Sequence, residues 1–249
     1  RLFAEKLPAE GLLIINSDIE NYREICEGLP CRIVTFGHGE GSDFRAAELS
    51  YDSFGRPSFT LVENGVPGQR IALSVPGEHN VYNALAAVCV AGKLGLSVDE
   101  MKRGIESVKT IGGRSNLIHK GGMTIIDDCY NANPVSMKAS IDVLAAAPGR
   151  KIAVLGDMGE LGENEQELHA MVGEHFEGKG IDALFAAGAL SENLAQAVGK
   201  CSKETEVHYF KTKDELMEEL LPYVKSGDTV LVKASHFMGF PEVVGQLTK

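Results

Sequence analysis

Two adjacent acids, Asp127 and Asp128, stop an apolar run that begins at Thr124. The full stretch reads TIIDDCYNANPVSM, so Tyr130, Asn131 and Asn133 follow the acids before the pattern turns helical. Small polar groups at the end of a buried strand suit ligand binding better than a core. The same residue types also make turns and helix caps, and Asn133 with Ser136 would cap the next helix. Both readings stand on chemistry alone.

Two further apolar runs end in the same way. VLGDMGELG (154–162) carries Asp157 and Glu160, and a carboxylate at such a tip can orient a ribose, an amine or a metal. LVKASHF (231–237) carries Lys233, Ser235 and His236 ahead of the last helix, where a carboxylate or phosphate would be held at a helix N-terminus. GEHNVYNALAA sets His79, Asn80 and Asn83 at the start of an alanine-rich helix. Asn80 and Asn83 are three apart, so their amides can face one way and offer donors and an acceptor to a purine edge. Arg114 in GGRS follows two glycines, where a permanent, forked cation can reach a phosphate across a cleft. The plain alternatives are a helix cap for the asparagines and a linker arginine for Arg114.

The elements that must carry these tips are legible. The second half alternates strands at 123–127, 151–155, 181–186, 206–210 and 228–233 with helices at 135–146, 164–176, 191–198, 213–224 and 240–247. Short, unbroken apolar strands in that order predict an α/β fold, a mainly parallel sheet with helices on both faces. Ligands of such sheets bind outside the carboxyl ends of the strands. The first half mixes strand and turn: strands at 11–18 and 31–37, two more around Asn64-Gly65 within 59–77, and a helix over 79–95. A second helix follows, with Ser97 as its cap and Glu100 completing a capping box. The change of character at Gly112-Gly113 predicts a domain boundary, with domains 1–112 and 113–249. His169 and His175 fall on a strongly charged helix and read as surface residues.

Composition narrows the function classes. A net charge of −11 argues against a nucleic-acid or anionic membrane partner, though not against a local phosphate site. No apolar run approaches the ~18 residues of a membrane span. Five cysteines without a C-x-x-C pair fit a reduced, cytoplasmic chain rather than a disulfide or zinc framework. GEHFEGKG (173–180) misses a phosphate loop, because Gly180 stands where serine or threonine is needed. No G-x-G-x-x-G follows a strand, which disfavours a dehydrogenase. No metal-ligand cluster is evident.

Together these segments resemble the Mur ligases of peptidoglycan synthesis. PGEHNVYNALAA is similar to that family's H-N-x-x-N-A-x-A-A element and GGRS to its junction G-R. DDCYNANP-SM resembles the D-D-S-Y-N-A-N-P-x-S-M run of the branch that adds D-alanyl-D-alanine to UDP-N-acetylmuramoyl-tripeptide. LGDMGELG and LVKASH match two more elements. The resemblance implies the C-terminal part of a central ATPase domain followed by a Rossmann-like ligase domain. It implies ATP as cosubstrate, magnesium, an acyl-phosphate intermediate, and those two peptides as substrates. By position, His79, Asn80, Asn83, Arg114 and Asp128 would serve ATP. Tyr130, Asn131, Asn133, Lys233, Ser235 and His236 would lie near the dipeptide or acyl phosphate. The phosphate loop, metal ligands, carbamoylated lysine and UDP-sugar domain are expected upstream of Arg1, so the chain is expected to be a fragment, inactive alone. Cys129 stands where serine is usual, and His236 where arginine or asparagine is frequent. A folylpolyglutamate-synthetase-like or cyanophycin-synthetase-like ligase, and a non-catalytic nucleotide- or peptide-binding module, are the alternatives.

Overall fold

The computed structural model describes residues 1–109 and 112–249. The chain divides into two compact units, Arg1–Asp52 with Arg56–Lys109, and Thr110–Lys249 with Ser53–Gly55.

The first unit is a five-stranded sheet in the order β1 (Leu12–Asn16), β2 (Arg32–Gly37), β3 (Phe44–Tyr51), β4 (Pro57–Glu63), β5 (Val66–Ala72). Strands β1 to β3 pair in parallel, and β3 to β5 are antiparallel. A short helix, α1 (Tyr22–Cys26), joins β1 to β2. Asn64 and Gly65 both take positive φ, 48° and 79°, and form the two-residue turn their types favour. Helices α2 (His79–Lys93) and α3 (Val98–Glu106) cover one sheet face, where Val81, Leu85 and Val88 meet Val34, Phe36, Phe59 and Leu61. Ser97 and Glu100 close the expected capping box on α3. The sequence gives no sign of β3, because Arg45, Glu48 and a register shift between Ala47 and Ser50 break its alternation.

The second unit is a six-stranded sheet in the order β10-β9-β8-β11-β7-β6. Its strands are β6 (Asn116–Lys120), β7 (Met123–Asp127), β8 (Arg150–Gly156), β9 (Ala183–Ala187), β10 (Glu206–Phe210) and β11 (Asp228–Lys233). All pair in parallel except β6, an antiparallel edge strand hairpinned to β7. Helices α4 (Pro134–Ala146), α5 (Glu165–Glu174) and α6 (Ser191–Cys201) pack on one face. Helices α7 (Lys213–Tyr223) and α8 (Pro241–Leu247) pack on the other. Leu231 points to the first face while Val230 and Val232 point to the second, the two-residue period of a strand buried on both sides. Because β7, β8, β9 and β11 are parallel, their polar tips all emerge at one edge. No helix among the described residues is long and apolar enough to cross a membrane.

Candidate functional site

The tip of β7 is held from three directions. Asp127 accepts from the Gly113 backbone N–H through Oδ2 at 2.8 Å and from the Cys129 thiol through Oδ1. Asp128 accepts through Oδ1 from the Ser115 N–H at 2.8 Å and its hydroxyl at 3.4 Å. Its Oδ2 accepts from the Ser140 hydroxyl and from Lys233 Nζ, both at 2.6 Å. A carboxylate has about four lone-pair sites, so Asp128 is fully engaged inside the protein. It is 8% exposed. Lys233, 2% exposed, also donates to the Asn131 carbonyl at 3.0 Å and the Asp128 carbonyl at 3.4 Å. Its three protons are thereby spent on the β7–α4 loop.

The loop thus clamped turns Tyr130, Asn131 and Asn133 outward, and all three are exposed. The Asn133 side chain accepts from the Ser136 N–H at 2.8 Å, the cap its sequence foretells, with Pro134 at the first helical position. Arg114 is exposed and lies 4.2 Å over the Tyr130 ring, so stacking fixes the guanidinium while its edge stays open. His236 is exposed, with its ring 6.1 Å from that of Tyr130. Ser235 is buried and links two tips: its hydroxyl accepts from the Gly159 N–H at 2.8 Å and donates to the Ala132 carbonyl at 3.3 Å. The result is a rigid edge with a cation, two rings and two amides facing solvent above a buried ionic clamp.

Asp157 turns inward as well. Its Oδ1 accepts from the Ser191 N–H and hydroxyl, both at 2.7 Å, and from the Leu190 N–H at 3.2 Å, which caps α6. Cys129 is buried, and burial together with the Asp127 carboxylate pushes its thiol pKa well up. It stays a neutral S–H donor, the part a serine hydroxyl would play. Cys129→Ser is therefore expected to change stability by less than about 1 kcal/mol; thermal melting checks this, and a loss of several degrees would contradict it.

In the first unit, α2 presents His79, Asn80 and Asn83. Asn83 donates to the Asn80 Oδ1 at 3.0 Å, and Asn80 donates to the Pro76 carbonyl at 2.7 Å. Asn80 thereby orients the exposed Asn83 amide, which keeps an acceptor and a second N–H for an outside group. Asp18 knots this region together, accepting from the backbone of His38 at 2.6 Å and from the Tyr82 hydroxyl at 3.1 Å. Among the described residues no group of His, Cys, Asp and Glu has the arrangement to hold a metal ion.

Three holding residues escape the sequence reading. Ser115 and Ser140 carry no signal beyond their type. His169 is a correction: it is fully buried, not a surface residue. Its signal was available, since residues 169, 172, 173 and 176 follow the i, i+3, i+4, i+7 spacing of a core stripe.

Comparison with known proteins covers both units. Residues 1–91 match the family model for the Mur ligase middle domain, and residues 113–236 that for the Mur ligase glutamate ligase domain. The chain is 32% identical over 222 residues to the UDP-N-acetylmuramoyl-tripeptide–D-alanyl-D-alanine ligase of Bacillus subtilis, covering 87% of this chain and 47% of that protein. A crystal structure of MurF from Acinetobacter baumannii superposes with a TM-score of 0.85 at 30% identity, over 96% of this chain and 52% of that one. MurF from Thermotoga maritima, in complex with ADP, gives 0.81 at 28% identity, over 98% and 55%. The chain spans about half the length of the curated ligases of that name that it matches.

Proposed function

Because the chain belongs to the Mur ligase family, we propose that it forms part of a cytoplasmic, ATP-dependent ligase that joins D-alanyl-D-alanine to UDP-N-acetylmuramoyl-tripeptide in peptidoglycan precursor synthesis. Residues 1–112 are then the C-terminal part of the ATP-binding domain and 113–249 the ligase domain. The observation that carries the reading is the β7–α4 loop, whose buried Asp128–Lys233 clamp holds Tyr130, Asn131 and Asn133 outward at the strand tips.

In this reading the terminal phosphoryl group of ATP passes to the tripeptide carboxylate, leaving ADP and an acyl phosphate. The dipeptide amine attacks the acyl carbon, an N–C bond forms, and inorganic phosphate leaves with the electrons of the broken C–O bond. Such chemistry asks for positioning and charge neutralisation rather than a protein nucleophile. Arg114, held over Tyr130, supplies positive charge for phosphate oxygens. Asn83, oriented by Asn80 and next to His79 in the first turns of α2, supplies paired donor and acceptor for adenine. Asn131, Asn133, Tyr130 and His236 face the dipeptide, and Asp128, Lys233 and Ser235 hold them in place. Magnesium is the usual partner of phosphoryl transfer. The described residues do not form a site for it, so no step is assigned to one.

The test is ATP-dependent phosphate release by the enzyme that carries this chain, with tripeptide and dipeptide present together and singly. Release that needs both substrates supports the reading. Nucleotide binding without release would favour a non-catalytic binding module and overturn it. In the active enzyme, Asn80→Ala with Asn83→Ala is expected to raise the KM for ATP roughly tenfold, the worth of one or two hydrogen bonds. An unchanged KM would remove these residues from the nucleotide site.

A further inference from the structure

His169, fully buried on α5, has no part in the reading above. Its ring joins two backbones. Nδ1 lies 2.6 Å from the Glu165 carbonyl and must carry the proton it donates there. Nε2 accepts the Met158 N–H at 2.9 Å and so carries no proton. Met158 lies in the Asp157–Glu160 turn after the β8 tip, and Glu160 within that turn sits at φ 59°, a left-handed conformation that a side-chain-bearing residue holds only under constraint. The same turn reaches the other tips. The Asp157 carbonyl accepts from the Ser235 N–H at 3.0 Å, and the Gly159 N–H donates to the Ser235 hydroxyl, which donates to the Ala132 carbonyl. A path of three hydrogen bonds and the Met158–Gly159 peptide link thus runs from His169 to the asparagine loop.

We propose that His169 is a positioning residue: its neutral imidazole fixes the Asp157–Glu160 turn and, through Gly159 and Ser235, the loop that receives the amine substrate. The proposal rests on the function assigned above. A histidine that merely filled the core would lower stability when replaced and leave the kinetics of the folded enzyme unchanged.

Three variants of the enzyme that carries this chain separate the two roles. His169→Leu removes both bonds. His169→Asn can still donate to Glu165 but is too short to reach Met158. His169→Gln places an amide oxygen where Nε2 stood. The leucine and asparagine variants are expected to raise the KM for the dipeptide roughly tenfold, as a sub-ångström shift of a binding loop does. The KM for ATP should stay within about twofold. Glutamine should restore most of the loss, and amide exchange at Met158 should quicken in the first two variants only. Should the leucine variant fail to fold, the asparagine–glutamine pair carries the test. Equal changes in both KM values, or no kinetic change with Met158 exchange quickened, would overturn the proposal. A wild-type enzyme that does not use the dipeptide would overturn the assigned function instead. In that case quickened Met158 exchange in the asparagine variant still supports the loop-holding role, and unchanged exchange refutes it.

Discussion

Lys233→Met is expected to destabilise the second unit by about 3–5 kcal/mol, the cost of leaving a buried carboxylate without its counter-ion. Methionine keeps most of the volume, so the loss would be electrostatic rather than a cavity effect. The Asp128 carboxylate would keep Ser115 and Ser140 but lose the ammonium at 2.6 Å, and the Asn131 carbonyl would lose its donor. Urea unfolding followed by a probe in the second unit measures this. Adding Asp128→Asn to the methionine variant should recover part of the loss, since no buried charge is then stranded. A single-variant loss below about 1 kcal/mol, the value of an exposed pair, would mean that the clamp is solvated in solution. Dipeptide-dependent phosphate release should fall with the clamp, because the outward asparagines depend on it.

Gly188→Ala is the second large effect. Gly188 follows the β9 tip with φ at 121°, and a Cβ there would lie 2.3 Å from Asp157 Oδ1. That oxygen caps α6 through Ser191 and Leu190. Alanine would therefore add backbone strain of about 1–3 kcal/mol and displace a buried carboxylate from its donors, at about 1–3 kcal/mol more. The expected total of roughly 2–6 kcal/mol is read from the shift in the unfolding midpoint. A melting curve like that of the wild type would show that the β9 tip relaxes without moving Asp157.

The two halves of the chain differ in how openly they declare their fold. In the second unit, β8, β9 and β11 are apolar on both faces, so their runs are unbroken and plain in the sequence. Strand β6 is hidden because NLIHK is half polar and sits at a sheet edge. In the first unit β3 is hidden by its charges and its bulge, while β4 and β5 are betrayed by Asn64-Gly65. The candidate site follows the same logic. Residue type and place pick out Asp127, Asp128, Tyr130, Asn131, Asn133 and Lys233 as one neighbourhood with Ser235 and His236. They do not say which face outward. The division into buried holders and exposed presenters comes from hydrogen bonds between residues up to 105 positions apart, Asp128 and Lys233 among them. Local pattern carries no trace of such pairs. His169 shows the limit differently: its helix is so charged that the one core stripe within it is easily overlooked.

The place of β11 also governs how the second unit comes to be made. It is the last strand in sequence, yet it lies between β8 and β7 in the sheet. Until residues 228–233 arrive, the β6–β7 hairpin and the β8–β10 group share no strand ladder. A nascent chain leaving the ribosome would hold two half-sheets with open apolar edges, and β7 would end in an acid pair whose lysine does not yet exist. Contacts this distant in sequence make for slow closure and a period of exposure to aggregation. A premature stop between Phe210 and Asp228 would then release not a shortened sheet but two half-sheets with no strand to join them, a natural target for chaperones and proteases.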